Sequence, residues 1–275
     1  MPSAYKDPSH TTIYQITQCL AREGIGCLLW GEHLLRAYAC AMPATDYKFI
    51  LEDDDITPAF TILHSTGYPE CTGQYPCPLN SPTDTIAQTP TLQHRSHRHP
   101  FPEKHLHIHA DPNNPHRTII GLYLKSHCFP PSPPKVKHPD ICAGPAGRVC
   151  SIGRFLYAHE HGPEPTPARG GRFPAHLGSV LVPSPMYLIE MLIHLGVRDC
   201  RVPGARSIWT RWLMVLREAF VDHGRGLAVW DEKSFLPEAM RPVWRHAIDS
   251  EISWAQEPVM NVWRDLAWTL AGVYV

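Results

Sequence analysis

No Cys-x-x-Cys pair, Walker A loop, Gly-x-Gly-x-x-Gly fingerprint, Gly-x-Ser-x-Gly elbow or His-Glu-x-x-His motif occurs in these 275 residues. The disulfide exchange, nucleoside-triphosphate, dinucleotide, hydrolase and zinc-protease chemistries that those motifs mark therefore have no local signature here. An excess of one charge sign is missing too: 25 basic side chains face 26 acidic ones, a net charge of −1. That balance carries no strong nucleic-acid signal. Long apolar runs are also absent. The most apolar stretch, Val180 to Val197, is broken by Pro183, Pro185, Glu190 and His194, whose polar groups lipid would leave unsatisfied, so no membrane span is expected. The opening residues, Met1-Pro-Ser-Ala-Tyr-Lys-Asp-Pro8, lack the charged-then-apolar layout of a secretory signal. The nine scattered cysteines then read as reduced thiols, and the expected compartment is the cytoplasm or nucleus, not the exterior.

What is present suits a folded protein. Hydrophobic residues make up 43% of a chain long enough to bury a sizeable core. Proline, at 29, and histidine, at 18, are both abundant. Apolar residues at helical spacing predict helices over Thr11 to Arg22, Glu32 to Cys40 and Asp55 to Ser65, with strands over Ile25 to Trp30 and Asp46 to Leu51 between them. Residues 68–102 form a Pro/His-rich insertion. His105 to Ala110 and Thr118 to Lys125 then predict a hairpin turned through Asp111-Pro-Asn-Asn-Pro115. Helices are expected over Pro185 to Leu195, Ala205 to His223, Ser234 to Ile252 and Pro258 to Ala271. The organisation read from this pattern is an α/β core over 1–128, an irregular Pro/Gly-rich belt over 129–183 and a helical region over 184–275.

Two groups of residues suit metal. His105, His107 and His109 alternate, which puts three imidazoles on one face of a strand, with His94, His97 and His99 close in sequence. Zinc on this strand is one expectation; a solvated polar edge is the other. Cys71 and Cys77 are a second pair that could share a metal or a disulfide.

The stretch Cys27-Leu-Leu-Trp-Gly-Glu-His-Leu-Leu-Arg36, followed by Thr45-Asp-Tyr-Lys-Phe-Ile-Leu51, resembles the nucleotidyltransferase-like fold, in particular the minimal nucleotidyltransferases and their divergent relatives in filamentous fungi. The resemblance covers about residues 11 to 67. It implies a small mixed β-sheet with flanking helices, followed by a helical region. It also implies a glycine turn at Gly31 that approaches phosphate, with Glu32 beside it, and a metal-binding carboxylate at Asp46. The implied ligand is a nucleotide or phosphorylated small molecule with Mg²⁺.

The sequence departs from that family where the chemistry is carried. Lys48 stands where a second carboxylate would be, and a lysine gives a hard cation no oxygen. Glu32 next to the turn repels phosphate. The expectation is thus a nucleotide site whose transfer chemistry is degenerate, with Asp46 and Lys48 as its catalytic residues if any survive and Lys48 contacting phosphate. A solvent-exposed Asp46–Lys48 ion pair is the plainer reading. Two alternatives belong to other classes. One is a non-catalytic interaction protein that presents its Pro/His-rich loops to a protein partner. The other is a zinc-dependent enzyme centred on His105, His107 and His109.

Overall fold

The computed structural model describes residues 8–71, 77, 102–108, 118–129, 155–159, 170–199, 205–219 and 241. Its elements are α1 (Pro8–Arg22), β1 (Cys27–Trp30), α2 (Glu32–Ala37), β2 (Tyr47–Leu51), α3 (Ile56–Ser65), β3 (Lys104–His107), β4 (Ile119–Leu124), α4 (Lys125–Cys128), β5 (Phe155–Tyr157), β6 (Leu181–Pro183), α5 (Pro185–Arg198) and α6 (Ala205–Arg217). Six strands form one mixed sheet in the order β3-β4-β2-β1-β6-β5. β1 runs antiparallel to β2 and parallel to β6, while β2 is parallel to β4. The fold is α+β, as the alternation of patterns predicts. Among the described residues no helix is long and apolar enough to cross a membrane.

The helices form where their apolar spacing says they should. In α1, Ile13, Ile16 and Leu20 are fully buried on one face. The chain then turns through a paired cap, in which Gly24 N–H donates to the Ala21 carbonyl and Ile25 N–H to the Leu20 carbonyl. The same hydrogen-bond pattern ends α2, with Ala39 at a φ of 61°. It stops that helix at Ala37, short of the Cys40 expected from sequence, because an apolar pattern does not show where the backbone turns left-handed. Ser184 caps α5 by accepting from Tyr187 N–H at 3.3 Å.

Pairing fixes what lies on each face of the sheet. Trp30, Lys48, Gly121 and His105 are directly opposed across β1, β2, β4 and β3, so their side-chain directions share one face. On that face Trp30 meets Trp209 and Trp212 of α6, with ring centroids 6.5 and 5.3 Å away. Leu29, Phe49, Leu122 and Lys104 form the next row and point the other way. There the Lys104 ammonium lies 5.1 Å from the Phe60 ring centroid on α3. Helices therefore cover both faces. Buried Asp199 joins α5 to α6 by accepting from Trp209 Nε1 at 2.9 Å and from Arg198 at 2.7 Å.

The belt expected to be irregular over 129–183 needs correction at two places. Phe155–Tyr157 and Leu181–Pro183 are strands, and β6 lies between β1 and the edge strand β5. Each is three residues long and flanked by proline or glycine, too short for a period-two signal. Packing within the belt is also tight at Gly170. Gly170 is buried with φ at 75°, and a β-carbon there would come within 2.8 Å of the Arg36 carbonyl oxygen. The Asp111–Pro115 turn and the helices expected over 234–252 and 258–271 lie outside the described residues.

Three buried thiols make the core sensitive to alkali. Burial pushes Cys27 up to about 12, and the same cause raises Cys40 and Cys128. Below an ordinary thiol value of 9.0 both the folded and the unfolded chain keep these protons. Above it the unfolded chain releases them first, so stability falls by up to about 1.4 kcal/mol per pH unit for each thiol. Urea unfolding across pH should give a stability that holds up to about pH 8 and declines steadily above about pH 9. A stability unchanged to about pH 10.5 would contradict this account of the core.

Candidate metal centre

β3 is an edge strand with a short companion. After α3 the chain turns at Gly67 and runs back along β3. Glu70 pairs with Leu106 as an antiparallel bridge, and His107 N–H donates to the Pro69 carbonyl at 2.9 Å. One step along this pairing, Cys71 comes opposite His105. Leu106 points into the α3 side of the core and is fully buried, so the two histidines beside it point to the opposite face.

Cys77 completes the group. One ligand atom from each of Cys71, Cys77, His105 and His107 lies within 4.8 Å of the other three. Cys77 Sγ is 3.4 Å from His105 Nε2. Cys77 and His107 are buried; Cys71 and His105 are half-buried. Two sulfurs and two imidazole nitrogens form a donor set suited to zinc and poorly suited to magnesium or calcium. Tetrahedral zinc, with bonds of about 2.3 Å to sulfur and 2.0–2.1 Å to nitrogen, holds its ligand atoms roughly 3.3–3.8 Å apart. A contraction of about 1.5 Å or less would bring the widest pairs of this group to that spacing, and the Cys77–His105 pair is already there.

Both halves of the group stand out in the sequence, but nothing there joins them. Cys71 and Cys77 lie in the first ten residues of the insertion, and His105 and His107 just past its other end. What links them is the Glu70–Leu106 bridge, a contact with no local signal. His109, expected as a third imidazole, lies outside the described residues, as do His94, His97 and His99.

The residues expected to bind nucleotide sit on the same face of the sheet. Lys48 Nζ donates to both Glu32 carboxylate oxygens, at 2.7 and 3.1 Å, and both side chains are buried. The expected exposed ion pair at Asp46 and Lys48 is therefore corrected. Lys48 and Asp46 are 3% and 5% exposed, and Lys48 is held by Glu32. Asp46 precedes β2, and its Oδ1 accepts from Ile119 N–H at 3.3 Å. The imidazole of His33, next to Glu32, stacks on Tyr47 with centroids 4.7 Å apart.

Gly31 explains how Lys48 fits. With φ at 78° and ψ at −155° it occupies a region that is nearly reserved for glycine. A β-carbon there would come within 2.6 Å of Lys48 Cδ. The lysine stem thus lies against the bare backbone of the turn. Gly31→Ala should cost about 1–3 kcal/mol from backbone strain alone, before the overlap with Lys48 is counted. Chemical denaturation checks this, and a loss under about 0.5 kcal/mol would show that the turn relaxes freely.

Magnesium does not fit this arrangement. Lys48, two residues after Asp46, offers an ammonium group already bound to Glu32, and Asp46 accepts a backbone hydrogen bond. The chain matches no family model, no curated protein and no solved structure.

Proposed function

We propose that this protein is a zinc-binding, non-catalytic scaffold on a nucleotidyltransferase-like core. The observation that carries this reading is the convergence of Cys71, Cys77, His105 and His107 from two distant stretches of chain. Four protein ligands close the coordination shell, which is the pattern of a structural zinc site; a catalytic zinc keeps one position open for water or substrate. The ion clamps the base of the Pro/His-rich insertion, whose sequence leaves at Cys77 and returns at Pro102. That insertion is the segment offered to a protein partner.

The core resemblance supports the scaffold half of this reading. The Gly31 turn and the Asp46 strand occupy the places that the family uses for phosphate and metal. In this chain a buried lysine–glutamate pair fills the space between them. Both carboxylate oxygens of that pair are engaged by the Lys48 ammonium, and the lysine stem occupies the approach that a triphosphate would need.

The test is metal analysis of full-length protein purified without a histidine tag, together with calorimetric titration of the four ribonucleoside triphosphates and Mg²⁺. About one zinc per chain and no saturable nucleotide binding is the expected result. Zinc-free protein that binds a nucleotide, with binding lost in a paired Asp46→Ala and Lys48→Ala variant, would restore the nucleotide-site reading.

A further inference from the structure

We infer that Cys71 and Cys77 form a peroxide-sensitive modification site, an inference that rests on the zinc reading above. The two thiols differ in access. Cys71 is half-buried at the sheet edge, while Cys77 is 2% exposed behind it. Their sulfurs lie within 4.8 Å of each other, and five residues separate them in sequence. An oxidant reaching the edge meets Cys71 first, and a second sulfur stands within reach to complete a disulfide.

The chemistry balances with a peroxide as oxidant. The Cys71 thiolate attacks one oxygen of hydrogen peroxide, the O–O bond breaks, and sulfenic acid and hydroxide form. The Cys77 thiolate then attacks the Cys71 sulfur, an S–S bond forms, and a second hydroxide leaves. Two electrons pass from the two sulfurs to peroxide. The cation keeps only His105 and His107, too few to hold it, and it departs. Oxidation thereby unclamps the segment after α3 from the edge strand β3.

Full-length zinc-loaded protein tests this, alongside a Cys19→Ser variant that removes a half-buried thiol away from the centre. Zinc content is measured first. Hydrogen peroxide is then added, with a colorimetric chelator reading released zinc and mass spectrometry reading the peptide that carries both cysteines. Both proteins should release about one zinc per chain. The peptide should lose two hydrogens, and dithiothreitol with added zinc should reverse both changes. Retention of zinc at a peroxide dose that oxidises Cys19 in the wild type would overturn the inference. So would release without the Cys71–Cys77 bond. A chain that takes up no zinc before peroxide is added instead refutes the metal centre itself and, with it, zinc release.

Discussion

His107→Ala should lose stoichiometric zinc and melt well below the wild-type protein. In the proposed centre His107 is the buried imidazole, and its backbone N–H also holds the companion segment at Pro69. Removing its imidazole leaves three ligands and a void on the buried side of the site. The size of the effect follows from linkage. Zinc present at about a thousand times its dissociation constant stabilises the folded chain by about 4 kcal/mol. At roughly 2–4 °C per kcal/mol, that is about 8–16 °C in melting temperature. A strong chelator added to the wild type should produce a shift of similar size. His107→Cys should keep the metal, because three cysteines and one histidine still form a tetrahedral zinc set. Scanning calorimetry with and without chelator checks all three proteins. A His107→Ala protein that melts at the wild-type temperature and ignores chelator would remove the centre from the account.

Lys48→Met should destabilise the protein by about 3–5 kcal/mol, because it strands the Glu32 carboxylate in the interior. At this chain length that is roughly 6–20 °C in melting temperature. The geometry sets the prediction apart from that for a surface pair. Both groups are almost out of solvent, and two hydrogen bonds of 2.7 and 3.1 Å join them. Exposed pairs typically contribute about 0–1 kcal/mol. Adding Glu32→Leu to Lys48→Met removes the stranded charge and should recover most of the loss, since an apolar pair of similar volume is often as stable as a buried ion pair. A double-mutant cycle in urea measures the coupling. Single-variant losses under about 0.5 kcal/mol would mean that water reaches the pair and that Lys48 is available for other work.

Much of this fold is legible in the sequence. Ile13, Ile16 and Leu20 mark α1 because that helix buries one face, and Phe49-Ile50-Leu51 marks β2 because that strand is buried on both faces. β5 and β6 are not legible, since three-residue strands acquire their identity from neighbours distant in sequence. The site divides in the same way. Alternation shows that His105 and His107 share a face, and spacing shows that Cys71 and Cys77 are near neighbours. The chain reversal that brings them together is tertiary. Glu32 and Lys48 stand out in sequence as departures from the pattern that the nucleotidyltransferase resemblance implies. Their partnership becomes visible only once β1 and β2 are registered so that Trp30 faces Lys48.

X-ray absorption at the zinc edge on untagged, full-length protein tests the central claim most directly, because it reads the ligand atoms themselves. Two sulfurs at about 2.3 Å and two nitrogens at about 2.0–2.1 Å are expected, with bound zinc itself lost from a Cys71→Ala and Cys77→Ala double variant. A shell of nitrogen and oxygen alone, or a protein without zinc, would contradict it.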